Sequence, residues 1–269
     1  MITQADYEKI AGVNWSRLKM LRSSPYHYRY APPKATTAAM VFGRAVHTLV
    51  LEPEYFASQY SVWDGPRRGK AWLAYREANS DTTILTRADA DRAQSCADAV
   101  LSCDRATDLL LAGASEEPIT WEDTETGRAC KGRPDHANGR TIDLKTTAVF
   151  EPRRFSSLAA RLGYHCQLAF YDDGRHAVGH EVSGDPALIV VQSDPPHDVV
   201  VYDVGPDVID AGRREYRRLL RLLIHCEQSN DWPGVARGQA VRLCLPEWAY
   251  ADPDDGDVEI TIGGEKMEL

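Results

Sequence analysis

The chain has 269 residues, 43% hydrophobic and 26% charged, with a formal net charge of −9. That is ordinary for a globular protein and enough for a substantial core in one large domain or two small ones, and no apolar run approaches the ~20 residues that span a membrane. The acidic total argues against a uniformly basic, non-specific nucleic-acid binder, although a local basic channel inside an acidic outer surface remains compatible with a polyanionic partner.

No secretory leader or repeat is visible, and the expected location is the cytoplasm. The six cysteines (96, 103, 130, 166, 226 and 244) form no C-x-x-C pair and no cluster. A zinc ribbon, a redox motif and iron–sulfur ligation are therefore not expected, and the thiols read as reduced and mostly buried.

In chain order, residues 1–40 read as broken helix, punctuated by Ser23-Ser24-Pro25 and Pro32-Pro33, with Tyr26, Tyr28 and Tyr30 flanking His27 and Arg29. Residues 41–51 form an apolar helix that stops before Pro53. His47 lies four residues after Gly43, on the same helix face. A polar stretch with Arg67, Arg68 and Lys70 follows. Residues 86–112 read as one or two helices, with Thr86 as N-cap and Asp89 three residues on. The β-rich part starts near Glu117, with a strand at 118–121, a turn, and strands at 128–135 and 140–147 joined at Asn138-Gly139. A helix at 152–172 and strands at 187–192 and 199–204 come next, with Pro195-Pro196 in the turn between the strands. Residues 206–226 make an amphipathic helix with Ile209, Tyr216, Leu219, Leu220 and Leu223 on one side. The tail carries Asp231-Trp-Pro-Gly234, Leu245-Pro-Glu-Trp248 and an acidic run at 252–257, expected to be an exposed loop. The expected organisation is a single domain over 1–269, comprising a mainly helical region (1–115) that carries His47, an αβ core (116–226) and a C-terminal extension (227–269).

The chemistry concentrates in Lys131 to Thr147. Asp135 follows Pro134, a turn signal comes next, and Asp143-Leu144-Lys145 follows it. Strand side chains alternate faces, so Asp143 and Lys145 point one way and Leu144 points into the core. Two carboxylates suit Mg²⁺, which binds through one or two acids and keeps several waters, and a nearby lysine can orient a water or neutralise charge on a phosphate. Taken alone, D-x-K reads as an ion pair on a surface hairpin, and the upstream Pro-Asp, the turn signal and the strand context are what favour a site. His47 likewise reads as a packed core residue, and Gln167 and Tyr171 as two residues of one ordinary helix face. Glu117 could join a metal site or merely flank it.

Parity decides whether the two acids can meet. A strict two-residue loop at 138–139 pairs 135 with 142 and turns Asp135 away from Asp143. Convergence requires a three-residue loop at 138–140 or a bulge near Pro134.

Gly43-x-x-x-His47, Arg133-Pro-Asp135, Asp143-Leu-Lys145-Thr-Thr147 and Gly163-Tyr-x-x-Gln167-x-x-x-Tyr171 occur in the order found in RecB-like PD-(D/E)XK nucleases. Residues 16–28, the run from Val41 to Pro53, Asp231-Trp-Pro-Gly234 and Leu245-Pro-Glu-Trp248 resemble the RecE-type exonuclease domain (exodeoxyribonuclease VIII) over roughly residues 7 to 250. The resemblance implies an α/β (α+β) fold of the restriction-endonuclease-like kind, a mixed central sheet flanked by helices with a helical N-terminal region. It implies Mg²⁺-dependent degradation of duplex DNA from an end, 5′ to 3′, with Mn²⁺ as a substitute metal. It also implies a ring-shaped homo-oligomer and a single-strand annealing protein as partner, commonly in phages or prophages. His47, Asp135, Asp143 and the Leu144 carbonyl would hold the metal, Lys145 would be the catalytic lysine, and Gln167 and Tyr171 would support the site.

Arg153, Arg154 and Arg161, with the stripe Arg214, Arg217, Arg218 and Arg221, are candidates for phosphate contacts, although the stripe reads first as a solvated helix face.

Overall fold

The computed structural model describes residues 4–245 together with 260–262 and 265–267. The acidic run at 252–257 and residues 246–248 lie outside the described residues. The N-terminal part is helical: α1 Gln4–Lys9, α2 Trp15–Leu18, α3 Pro25–Tyr30, α4 Ala38–Leu51 and α5 Phe56–Gln59. The polar stretch after α5 folds as β1 Tyr60–Trp63, α6 Gly69–Ala78 and β2 Thr83–Thr86, with β1 and β2 paired in parallel. Then come α7 Arg87–Leu101 and α8 Asp104–Leu110. Thr86 caps α7 as expected, its Oγ1 accepting the Asp89 N–H at 3.0 Å.

The remaining elements build the central sheet and its cover. They are β3 Ala114–Ser115, β4 Ile119–Glu122, β5 Ala129–Gly132, β6 His136–Ala137, β7 Thr141–Thr147, α9 Pro152–Leu162, α10 Tyr164–Ala177, β8 Ala187–Gln192, β9 Val199–Asp203 and α11 Pro206–Ser229, followed by the short pair β10 Ile260–Ile262 and β11 Glu265–Met267. The five-stranded sheet has the order β3-β6-β7-β8-β9. Only β7 and β8 run parallel, joined by the α9–α10 crossover, and the other neighbours are antiparallel. This is a mixed sheet between helical layers.

Residue alternation assigns the faces. Ile142 and Leu144 of β7 and Ile189 and Val191 of β8 pack with α4 and α7. Leu188 and Val190 pack with α2, α10 and α11. Thr141 bonds to Asp172 of α10 at 2.8 Å, so Asp143 and Lys145, two and four residues on, share that second face.

Two expected elements are broken. The strand expected over 128–135 ends at Gly132, because β5 pairs with β4 in a separate hairpin and Arg133–Asp135 then crosses to the main sheet. The helix expected over 152–172 is two helices divided at Gly163, whose φ of +75° caps α9 in the left-handed region. A Cβ at 163 would lie 2.7 Å from the buried Trp15 ring, so position and residue type are both fixed there.

Candidate metal centre at the open edge of β7

Ala137 pairs with Thr141 and His136 with Ile142, which makes Asn138–Arg140 a three-residue loop. This is one of the two irregularities that the parity argument requires, and it turns Asp135 towards Asp143. Because β6 covers only Thr141 and Ile142, the outer edge of β7 has no strand beside Asp143–Lys145. Asp135 Oδ2 instead accepts the Leu144 N–H at 2.8 Å. A strand residue presents its N–H and C=O to the same side, so the Leu144 carbonyl faces this open edge too.

α4 approaches from the other side. Gly43 admits it closely, since a Cβ there would stand 3.3 Å from Thr146 Oγ1. One turn later the His47 ring approaches the Leu144 backbone, and Nδ1 lies 3.6 Å from Asp135 Oδ2. Burial, then the Lys145 charge, lowers the His47 pKa to about 4, so the ring is neutral and its nitrogens are fit to bind a cation.

Glu116 is a member of this cluster that the sequence did not single out. It continues β3 opposite Asp135, its N–H donating to the Asp135 carbonyl at 3.1 Å, and its φ is +52°. Its carboxylate holds Arg133 at 2.7 Å, and its ligand oxygen, one from Asp135 and a nitrogen of His47 all lie within 4.8 Å of one another. Glu117, the acid singled out beforehand, instead lines a small cavity with Arg175 and His180. The only available signal was the pairing register of β3, a two-residue strand too short to read from sequence.

Asp143 is buried beside these groups and paired with the Lys145 ammonium. Burial, opposed by Lys145 and reinforced by Asp135, raises its pKa to about 6. Burial and then Asp135 raise that of Glu116 to about 8. Burial also raises Asp135. Burial disfavours the Lys145 ammonium, but Asp143 and Asp135 outweigh it and hold its pKa up. The Lys145 Nζ sits 5.0 Å from the centre of the Tyr164 ring. On the same helix Gln167 Nε2 donates to Tyr171 Oη at 3.5 Å, and Tyr171 is buried within electrostatic reach of Asp135 and Asp143.

Residues 15–242 match the family model described as a PDDEXK-like domain of unknown function (DUF3799). The chain belongs to this family. Its fold is similar to the crystal structure of a "Putative exonuclease" from Eubacterium rectale, with a TM-score of 0.61 and 10% identity over 91% of this chain and 96% of that one. At that identity the likeness is one of fold alone. No curated protein matches the sequence.

The donor set of this PDDEXK-like domain fits a divalent cation. Three acids crowd one another, a neutral imidazole and an edge carbonyl join them, and the Lys145 ammonium offsets only part of this buried negative charge. A divalent cation offsets the rest. Lys19, in the 3-10 turn after α2, is a further group that the sequence did not single out. Desolvation, then the Lys145 charge, lowers its pKa, which places its ammonium in the field of the site.

The arginine stripe on α11 is half neutralised. Arg217 pairs with Asp123, Glu125 and Asp173, and Arg221 with Glu125, so these two brace the fold instead of offering free charge. Arg153, Arg154, Arg161, Arg214 and Arg218 are exposed. Among the described residues no helix is long and apolar enough to cross a membrane.

Proposed function

We propose that the protein is a divalent-metal-dependent deoxyribonuclease that degrades linear duplex DNA from its ends, 5′ to 3′, leaving single strands for recombination by annealing. One observation carries the hydrolytic part: His47, Glu116, Asp135, Asp143 and Lys145, from four separate segments, converge on one open strand edge of a PDDEXK-like fold. His47, Asp135, Asp143 and the Leu144 carbonyl would hold Mg²⁺, or Mn²⁺ in its place, with Glu116 as an additional carboxylate. The metal, when bound, lowers the pKa of a water and polarises the phosphate. Lys145, held charged by Asp143 and Asp135, orients the attacking water and offsets negative charge developing on the phosphate. Asp135 fixes the Leu144 peptide. Tyr171 and Gln167 would support the site from α10.

The exonuclease direction, a ring-shaped homo-oligomer and a single-strand annealing partner rest on the ordered likeness to RecE-type enzymes. The similarity in fold to a protein described as an exonuclease supports the same reading. Digestion of linear duplex labelled at the 5′ or the 3′ end, with and without Mg²⁺, tests it. Release of 5′ label first, only with metal, and an intact closed circle are expected. Cutting of the closed circle would identify an endonuclease instead, and metal binding without any cleavage would identify a DNA-binding module.

A further inference from the structure

We propose that His165, Cys166 and Glu215 form a second metal site, for a thiophilic divalent ion of the Zn²⁺ class, across the junction of α10 and α11. It is separate from the carboxylate centre and does not depend on the nuclease reading. The three ligand atoms form a triangle. Cys166 Sγ is 3.3 Å from His165 Nε2 and 3.5 Å from Glu215 Oε2, and His165 Nε2 is 3.6 Å from Glu215 Oε2. Zn²⁺ binds sulfur at ~2.3 Å and nitrogen or oxygen at ~2.0–2.2 Å in a tetrahedron, which separates adjacent donors by about 3.3–3.6 Å. The triangle has the dimensions of one face of such a site.

Hydrogen bonding accounts for less. The thiol can donate to Glu215 and the imidazole N–H to the sulfur, which covers two edges, but 3.6 Å between the imidazole nitrogen and the carboxylate is too long for a hydrogen bond. A cation accounts for all three edges at once. A thiolate and a carboxylate, the latter shared with Arg22, offset its charge, and the thiol proton leaves to solvent. Mixed sulfur, nitrogen and oxygen donors select Zn²⁺ over Mg²⁺.

The surroundings hold the donors in place. Arg22 Nε donates to Glu215 Oε1 at 2.8 Å, which leaves Oε2 for the site, and the same guanidinium is fixed by the Arg161 and Ala160 carbonyls. The αL break at Gly163 starts α10 so that His165 and Cys166 fall in its first turn. Gly212, three residues before Glu215, lets α11 press on that turn, where a Cβ would stand 2.3 Å from the His165 carbonyl. Cys166 is fully buried, whereas the His165 and Glu215 side chains are 18% and 24% exposed and provide an entry. No C-x-x-C spacing exists here, because the ligands come from adjacent residues and a distant helix. Occupancy would also stiffen the turn that carries Tyr164, the ring beside Lys145.

Co²⁺ titration of the metal-free protein tests the site. A thiolate-to-cobalt charge-transfer band is expected, saturating at one equivalent and bleached by Zn²⁺. It should persist in Asp143→Asn, vanish in Cys166→Ala, and require at least about tenfold more Co²⁺ in His165→Gln. His165 is partly exposed, so that variant remains informative if Cys166→Ala fails to fold. Absence of the band, or a band unchanged in His165→Gln and lost instead in Cys96→Ala, would overturn the proposal.

Discussion

Asp135 takes the Leu144 backbone N–H at 2.8 Å, in the position a neighbouring strand would otherwise occupy. One carboxylate therefore completes the hydrogen bonding of β7 and holds open the edge on which the Leu144 carbonyl, His47 and Glu116 converge. A side chain in that role satisfies the peptide without covering it, which a paired strand would do.

Lys145 and Asp143 form the buried ion pair of this site, and their removal separates chemistry from folding. Lys145→Ala is expected to lower single-turnover cleavage by about 10²–10³-fold. Asp143→Ala should abolish Mg²⁺-dependent cleavage. Asp143→Ala leaves the Lys145 ammonium buried with Asp135 as its remaining carboxylate partner, so the variant should keep its circular-dichroism spectrum and a cooperative melt, at a lowered melting temperature. Near-normal cleavage in either variant would remove these residues from the reaction.

Glu116 and Glu117 are adjacent but face different surroundings, which makes them a matched pair. Glu116→Gln keeps the shape but removes a carboxylate that shares the cluster with His47 and Asp135. Mg²⁺ affinity, measured by calorimetry, should fall about 10–100-fold, the range for groups that hold or orient a metal. Glu117→Gln should change it less than twofold. Equal effects would mean that the β3 register does not define the site.

Much of this site was legible because its residues are close in sequence. Asp135, Asp143 and Lys145 lie within one hairpin, where strand alternation and loop parity can be worked by hand, and the parity demand for one extra residue was met at Asn138–Arg140. His47 and the Gln167/Tyr171 pair were legible only through the order of motifs, because periodicity treats a histidine on an apolar helix as core. Glu116 and Lys19 were not legible. Each reaches the site through tertiary packing, one by a two-residue strand and one by a 3-10 turn, and neither leaves a periodic trace. The separation of α9 from α10 was missed because apolar spacing continues across Gly163. There the close approach of Trp15 overrides local helix propensity.

The raised acid pKa values set a pH dependence. Burial, reinforced by Asp135, pushes Glu116 up to about 8 and Asp143 up to about 6 in the folded chain, both above their unfolded values. Their protonated forms are therefore favoured by folding, and the stability they contribute is present at low pH and lost as pH rises through about 6 and then about 8. Metal binding needs both groups deprotonated. The melting temperature of metal-free protein should fall between about pH 5 and 8 on this account. The upward shift produced by Mg²⁺ should grow over the same interval, and Glu116→Gln should flatten the upper half of the trend. A Mg²⁺ shift that shrinks with rising pH would contradict the assignment.

Gly163 and Gly179 offer a test of how tightly the α9–α10 junction is packed. Both have positive φ, +75° and +80°. A Cβ at 179 meets nothing within 4 Å, whereas one at 163 would lie 2.7 Å from Trp15 Cζ2 and 2.9 Å from Arg22 Nη1. Alanine at either position costs about 1–2 kcal/mol for the left-handed backbone. At 163 the overpacking of a buried tryptophan adds a further ~1–3 kcal/mol. Denaturant melts should therefore show Gly163→Ala destabilised beyond Gly179→Ala by at least about 1 kcal/mol, or roughly 2–4 °C in melting temperature. Arg22 also orients Glu215, so Gly163→Ala should weaken Co²⁺ binding at the His165–Cys166–Glu215 cluster, which Gly179→Ala should leave unchanged. Equal stability of the two variants would mean that Trp15 yields freely and does not fix the start of α10.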